Sequence, residues 1–311
     1  MGMWDAGRWH EQFEKASREQ DHDKLHALRR DVFLDTVGDV RKGFYTSNGG
    51  RTIAFDDETP LLEGSVLYQE QLASREPEKK STTLVEVKQI DTIKAARLLE
   101  NPVVLNMANR HQPGGGVLGG ASSQEEYLFR ISNYHRSLYQ FSDIGHSFDV
   151  PRRPESYPLD RNHGGVYSPG ITVFRGTEQE GYPKLDEPLK LSFVAVAAIH
   201  EPNLLQDHND HYWLEDSFIE PTKRKIRTIF NIALVHDHEN LVLGAFGCGA
   251  FKNPPNHIAR LFKEVLEEPL YKNQFSHIIF AILDNHNSYR YFNPEGNFKP
   301  FQQVFEPIQG R

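Results

Sequence analysis

The feature that most limits what this chain can fold into is a run of five glycines within seven residues, Gly114 to Gly120. It lies between an apolar segment, Val103-Val104-Leu105, and a helical pattern from about Ser123 to Leu138. Glycine is the residue that lets a backbone turn through left-handed conformations and come close to another group. A strand that enters such a turn and leaves it as a helix is a building unit of α/β folds. The plan recurs at Gly244-Ala245-Phe246-Gly247-Cys248-Gly249-Ala250-Phe251-Lys252-Asn253, which follows the apolar stretch Leu241 to Phe246 and precedes a helical pattern after Pro255. Further strands are expected at Leu84 to Lys88, Ile171 to Phe174, Leu191 to Ile199 and His277 to Leu283. Between them, Ile226, Ile229, Phe230 and Ala233 after Pro221, and Ile258, Leu261, Phe262, Val265 and Leu266 after Pro255, each make an apolar stripe at helical spacing. Short apolar strands alternating with amphipathic helices imply an α/β fold with a central mixed sheet covered by helices on both sides.

Trp9 to Lys42 is polar and charged with Leu25, Leu28, Val32 and Phe33 at helical spacing, and reads as an N-terminal helical region closed by a turn at Ser47-Asn48-Gly49-Gly50. We expect residues 1–83 to form a helical extension packed on a core spanning 84–311, the whole making one compact domain. Asp91 is placed to cap a helix running to about Leu99. Phe141 to Val166 holds three prolines and no period, is long for a connection, and is expected to be a functional or mobile loop.

The net charge of −8 argues against general coating of nucleic acid, so any anionic ligand has to be held by local geometry. The longest apolar stretches, Phe193 to Ile199 and Ile278 to Leu283, are far shorter than the roughly 18 residues of a membrane span. With a single cysteine and no signal-like N-terminus, a cytoplasmic setting is expected, or a nuclear one in a eukaryote.

Glycine amides pointed at a ligand, with a helix N-terminus behind them, suit phosphates, and both glycine loops are candidates for this. Glu125 and Glu126 have two readings. Ser123-Gln124-Glu125-Glu126 can be a capping box with Glu126 reaching back to the cap, or two carboxylates beside a ligand cradle can serve as general acid and hydroxyl acceptor. Cys248 between two glycines is a weak nucleophile candidate without an assignable base. His208, Asp210 and His211, and likewise His236 and His238, lack a recognisable metal-ligand spacing and read as surface histidines. Lys223, Arg224, Lys225 and Arg227 read as a solvated helix face.

At these residues the chain resembles the microbial-type poly(ADP-ribose) glycohydrolase family, whose signature is three glycines, six to eight residues, then Gln-Glu-Glu. Here Gly114-Gly115-Gly116 is followed by seven residues and Gln124-Glu125-Glu126. Ala108-Asn109, Leu128, Arg130 and Ser132, the Gly247-Cys248-Gly249-Ala250-Phe251 loop, and Arg30 to Thr52 with Asp35-Thr36 and Gly43-Phe44-Tyr45 extend the likeness over most of the chain. The resemblance implies a macrodomain-like three-layer sandwich with added N-terminal helices. It implies hydrolysis of the ribose-ribose O-glycosidic bond of poly(ADP-ribose), releasing ADP-ribose and reversing ADP-ribosylation of proteins in the DNA damage response. It also implies site roles: Glu126 as the catalytic acid, Glu125 holding ribose hydroxyls, Asn109, Gln124 and the Gly114, Gly115 and Gly116 backbone along the ribose, and Gly247, Cys248, Gly249, Ala250 and Phe251 around the diphosphate. No cofactor, metal, membrane or nucleic-acid partner is implied. A non-catalytic ADP-ribose-binding macrodomain, or a hydrolase of mono-ADP-ribosylated acceptors, are the alternatives.

Overall fold

A computed structural model describes residues 4–73, 82–208, 211–284 and 287–306. The chain divides into two compact units whose segments alternate along the sequence: Met1–Val66, His111–Pro158 and Ser168–Leu191 in the first, and Leu67–Arg110, Leu159–Tyr167 and Ser192–Arg311 in the second. The fold class is α/β, a mostly parallel central sheet flanked by helices.

In the first unit the N-terminal helical region is two helices, Ala6–Glu19 and His22–Lys42. The break falls at Gln20, which takes a left-handed backbone, followed by Asp21, whose carboxylate accepts the Lys24 N–H at 2.9 Å and so starts the second helix. Trp9 ties the pair together by donating its indole N–H to the Leu28 carbonyl at 3.1 Å. The second helix sets half-buried Asp35 and buried Asp39 against the buried Arg175 and Lys184, with Lys184 2.8 Å from Asp35 and 2.5 Å from Asp39. The expected turn at Ser47–Gly50 joins the antiparallel strands Phe44–Thr46 and Thr52–Ala54.

The helical pattern from Ser123 to Leu138 is interrupted. Gln124–Ile131 and His135–Leu138 are separate helices, because Asn133 pairs with a strand in between. Its amide N–H donates to Thr172 O at 3.2 Å, and its side-chain oxygen accepts the Thr172 N–H at 2.8 Å. The segment after Phe141 is packed. It carries a 3-10 turn, Asp143–Phe148, with Phe148 and Val150 buried, and it is pinned by Arg153 N–H to Gln140 O at 2.8 Å and Tyr157 N–H to Phe141 O at 2.9 Å.

The second unit centres on the strand Val103–Met107, paired in parallel with residues 192–196 of Lys184–Val196 and with Asn240–Leu243. His277–Ala281 and Leu84–Lys88 continue the parallel series outward. Beyond Lys184–Val196 lie Gly165–Arg175 and then Val66–Tyr68, and the two longer of these strands contribute residues to both units. The strands read as unbroken apolar runs because both faces are covered: Val104, Ile278, Ile279 and Phe280 have no exposed surface. The helix expected after Pro221 begins earlier, at Asp216, and runs to Val235. A proline in its second turn removes one backbone donor, and the apolar stripe downstream, with Ile226, Ile229 and Phe230 fully buried, outweighs that loss. Asp91 caps Thr92–Ala96 as expected, though that helix ends three residues early.

Candidate active site

In the first unit the triple glycine folds over two carboxylates. Gly114 N–H donates to Glu125 Oε1 at 3.0 Å, and Gly116 N–H donates to Glu126 Oε1 at 2.8 Å. Both glutamates are buried. Gly114 and Gly115 have left-handed backbones (φ +78° and +52°), and the space a side chain would need is taken: a Cβ on Gly114 would stand 2.7 Å from the Phe129 ring, and one on Gly115 would run into Glu126 Oε1. Here glycine is required by conformation and by close approach together.

These bonds bear on the capping-box reading of Glu126. Ser123 is the N-cap of Gln124–Ile131, but its side chain makes no capping bond, and the Glu126 carboxylate turns to the glycine loop instead of back to the cap. The capping box therefore does not form. What remains is one carboxylate oxygen fixed by a backbone donor and a second, Oε2, that is buried and without a hydrogen-bond partner among the described residues. The helix itself is held from behind by Arg130, wholly buried, which donates to Tyr182 Oη at 2.8 Å and to the Ala121 carbonyl at 2.6 Å. Gln124 is half-buried on the first turn.

Most of the loop's remaining donors are also occupied. Gly115 N–H goes to Gln112 O, Val117 to Gly114, Gly119 to Gly116, Gly120 to Val117 and Ala121 to Gly116. The expected phosphate cradle is not what this loop builds, since its amides are spent on its own turns and on the two glutamates.

The second loop, in the second unit, is built differently. Gly247 (φ +75°) packs so closely on Ala198 and Asn253 that a Cβ would lie 2.6 Å from each. Asn253 closes the loop: its Nδ2 donates to the carbonyls of Ile199 (2.8 Å), Gly247 (3.2 Å) and Phe251 (3.1 Å). Among the described residues, no hydrogen bond uses the N–H groups of Gly249, Ala250 or Phe251. The next helix starts only at Pro255, so these are backbone amides of a turn and not of a helix end. Asn253 was given no role on sequence; its position before Pro254-Pro255, where a side chain that bonds to backbone often ends a loop, is the signal it offers.

Phe251 is half-buried, edge-on to His200 at 4.9 Å and packed against the core of this unit. Asn109, just past the strand Val103–Met107, is half-buried. Cys248 has no exposed surface, its thiol faces the Phe246 carbonyl at 3.6 Å, and burial pushes its pKa well up, which removes the thiolate that nucleophilic attack requires.

The histidine groups are accounted for separately. His211 is 3.7 Å from Asp207, while Asp210 lies outside the described residues. His236 stacks on Tyr167 at 3.5 Å, and His238 shares a 2.8 Å hydrogen bond with the Tyr167 hydroxyl. His238 is buried and His236 half-buried, where surface residues were expected: burial holds the His236 pKa down to about 4 and that of His238 below its ordinary value. Among the described residues no group of three or more His, Cys, Asp or Glu side chains is arranged to hold a metal ion. The basic run divides. Lys223 pairs with Glu264 at 2.6 Å and Arg227 with Glu268 at 2.8 Å, but Lys225 is buried, not solvated, and burial, then Arg110, lower its pKa to about 8.

Comparison with known proteins gives a consistent result. Residues 34–176 match the family described as microbial-type PARG, catalytic domain. The poly(ADP-ribose) glycohydrolase of Thermomonospora curvata, solved bound to the inhibitor ADP-HPD, is 27% identical, with 89% of this chain and 99% of that chain covered at a TM-score of 0.66. The poly(ADP-ribose) glycohydrolase of Deinococcus radiodurans, solved in complex with ADP-ribose, is 26% identical, with 82% and 100% covered at a TM-score of 0.61. No curated protein sequence matches the chain.

Proposed function

We infer that this chain, a member of the microbial-type poly(ADP-ribose) glycohydrolase family, hydrolyses the ribose-ribose bonds of poly(ADP-ribose) with Glu126 as its general acid. The observation that carries the assignment is the state of that carboxylate: Oε1 is fixed by the Gly116 amide, and Oε2 is shut away from solvent with no protein group to bond among the described residues. An acid that must protonate a departing ribose oxygen needs such an uncommitted oxygen in a fixed orientation. Breaking the bond develops oxocarbenium character on the sugar, and the resulting carboxylate can then take a proton from the attacking water. One residue thus serves both steps.

Glu125, fixed by Gly114, is the acceptor for ribose hydroxyls, with Gln124, Asn109 and the Gly114–Gly116 backbone along the sugar. Two buried carboxylates repel phosphate and accept hydroxyls, which supports a ribose at this loop. The amides of Gly249, Ala250 and Phe251 suit the diphosphate. The ligands are therefore poly(ADP-ribose) and ADP-ribose, and the partners are ADP-ribosylated proteins. We place the activity in the cytoplasm, or the nucleus of a eukaryote, in the reversal of ADP-ribosylation after DNA damage, on the chemistry of the substrate. Among the described residues no helix is long and apolar enough to cross a membrane. The route uses a carboxylic acid alone, so turnover is expected to survive chelation.

The test is incubation with poly(ADP-ribose) and chromatography of the products. Free ADP-ribose is expected. Polymer bound but not released would replace this reading with that of a binding module.

A further inference from the structure

Behind Glu125 stands an aromatic wall. Glu125 and Phe129 are four residues apart on one helix and share a face. The Phe129 ring lies 5.2 Å from Tyr134 and 5.5 Å from Tyr139. Tyr157 is brought to this wall by the packed segment after Phe141, through its N–H bond to the Phe141 carbonyl at 2.9 Å. Tyr157 is half-buried as a residue, but its hydroxyl oxygen is closed off from solvent and has no hydrogen-bond partner among the described residues. Burial, and then the negative field of Glu125, push its pKa well up; the same field acts on Tyr139. The hydroxyl is therefore protonated throughout the working pH range. It is a donor with nothing to donate to among the described residues, within the field of a carboxylate.

A buried polar group without a partner is destabilising, and a phenylalanine in its place would avoid the penalty. Glu126 Oε2, on the same helix turn, is orphaned in the same way. Two unsatisfied polar atoms, one on the neighbouring glutamate and one within the field of Glu125, are what a site shows when its last hydrogen bonds wait for a ligand. We propose that Tyr157 is a positioning residue: when a ribose hydroxyl engages Glu125, the Tyr157 hydroxyl closes onto the same carboxylate and holds it in the orientation the sugar requires. This rests on the reading of Glu125 and Glu126 as the site of hydrolysis.

Tyr157→Phe removes one oxygen and keeps the ring. Because a hydrogen bond to a charged group is involved, kcat on poly(ADP-ribose) is expected to fall roughly ten- to a hundredfold. ADP-ribose affinity measured by calorimetry should fall by a smaller factor, the melting temperature should stay level or rise, and the acid limb of the kcat profile, which reports the substrate-bound enzyme, should move to higher pH as the carboxylate loses a donor. A variant with wild-type kcat, wild-type affinity and an unmoved pH profile overturns the proposal and leaves the hydroxyl as an orphan of the core. A variant with a lowered melting temperature and an unmoved profile overturns it too, since the residue then acts through stability. Wild-type protein assayed alongside separates the failures: if it releases no ADP-ribose, the functional reading fails, and if it does while Tyr157→Phe matches it, only the role of Tyr157 fails.

Discussion

In the loop around Gly114 to Gly120, nearly every amide is committed, two of them to the carboxylates of Glu125 and Glu126 at 3.0 and 2.8 Å. In the loop Gly247 to Phe251 it is the carbonyls that are committed, three of them to Asn253 or its neighbours' donors, while the amides of Gly249, Ala250 and Phe251 point to no protein group among the described residues. The two loops look alike in sequence, both an apolar strand followed by glycines. The difference shows that glycine content reports how far a backbone can bend, whereas ligand preference follows from which donors are left over once the protein's own acceptors are served. A loop whose amides hold carboxylates presents acceptors to a ligand. A loop whose carbonyls are tied back presents donors.

The largest effect should come from the acceptor loop. Glu126→Gln keeps an oxygen for the Gly116 amide, so the loop and the fold should persist, and ADP-ribose should still bind. The amide cannot donate a proton to the leaving oxygen as an acid does, so release of ADP-ribose should drop by roughly a hundred- to ten-thousandfold. Binding by calorimetry and release by chromatography measure the two separately. Activity within a few-fold of wild type would return Glu126 to a structural role.

Next in size is a glycine exchange between the loops. Gly115→Ala places a methyl against Glu126 Oε1 and 3.2 Å from Glu125 Oε2 on a left-handed backbone, and should displace both carboxylates. Catalytic geometry is sensitive at the level of about an ångström, so a loss of roughly a hundredfold is expected. Gly249→Ala has ordinary room, its nearest neighbour being Asn287 at 3.8 Å, and should cost little in either activity or melting temperature. Equal losses from the two substitutions would erase the distinction drawn between the loops.

Much of this was open to reading in the sequence. Strand and helix alternation, the Asp91 cap and the turn at Ser47–Gly50 all follow from local patterns, and the Gly-Gly-Gly and Gln-Glu-Glu spacing located the carboxylates. What local patterns missed depended on partners distant in the chain. The helix after Ser123 stops at Ile131 because Asn133 bonds to Thr172, a residue 39 positions away. The capping box fails because Gly116, ten residues upstream, outcompetes the cap for Glu126. His236 and His238 sit in a polar stretch that reads as surface, yet Tyr167 covers them from another strand. Tyr157 carries no sequence signal, since an orphaned hydroxyl is defined by what surrounds it.

The units that hold the two loops should also differ in response to acid. His135, in the unit of the first loop, is wholly buried with neither ring nitrogen bonded, and burial followed by Arg136 and Arg41 holds its pKa down to about 3. His236, in the other unit, is half-buried and held to about 4. An unfolded histidine titrates near 6.5. Below that pH the unfolded chain takes up protons that the folded chain refuses, so the stability these residues contribute is intact at neutral pH. It declines as pH falls from about 6.5 towards 4 for His236 and towards 3 for His135. For the fully buried His135 this is on the order of 2 kcal/mol at pH 5, or about 3 °C in melting temperature. His135→Leu and His236→Leu should each flatten the dependence between pH 7 and 5 by similar amounts, and His135→Leu should go on flattening it below pH 5, where the folded His236 begins to take up its proton. A wild-type melting temperature that is the same at both values would contradict the assignment of neutral, buried rings.

The smallest effect is expected in the donor loop, at Cys248. Its thiol faces inward to the Phe246 carbonyl and its pKa is pushed well up by burial, so only its backbone is available to the loop's outward face. Cys248→Ala preserves that backbone and its carbonyl, which accepts from Asn293 at 3.3 Å, and leaves a void where the sulfur was. A core truncation of this size should lower stability by roughly 1 kcal/mol. Turnover and ADP-ribose affinity should stay within about twofold, since less than half a kcal/mol separates them from wild type. If instead Cys248→Ala abolished release while Glu126→Gln left it intact, the chemistry would belong to the second loop and a covalent route, and the contrast between an acceptor loop and a donor loop would have to be abandoned.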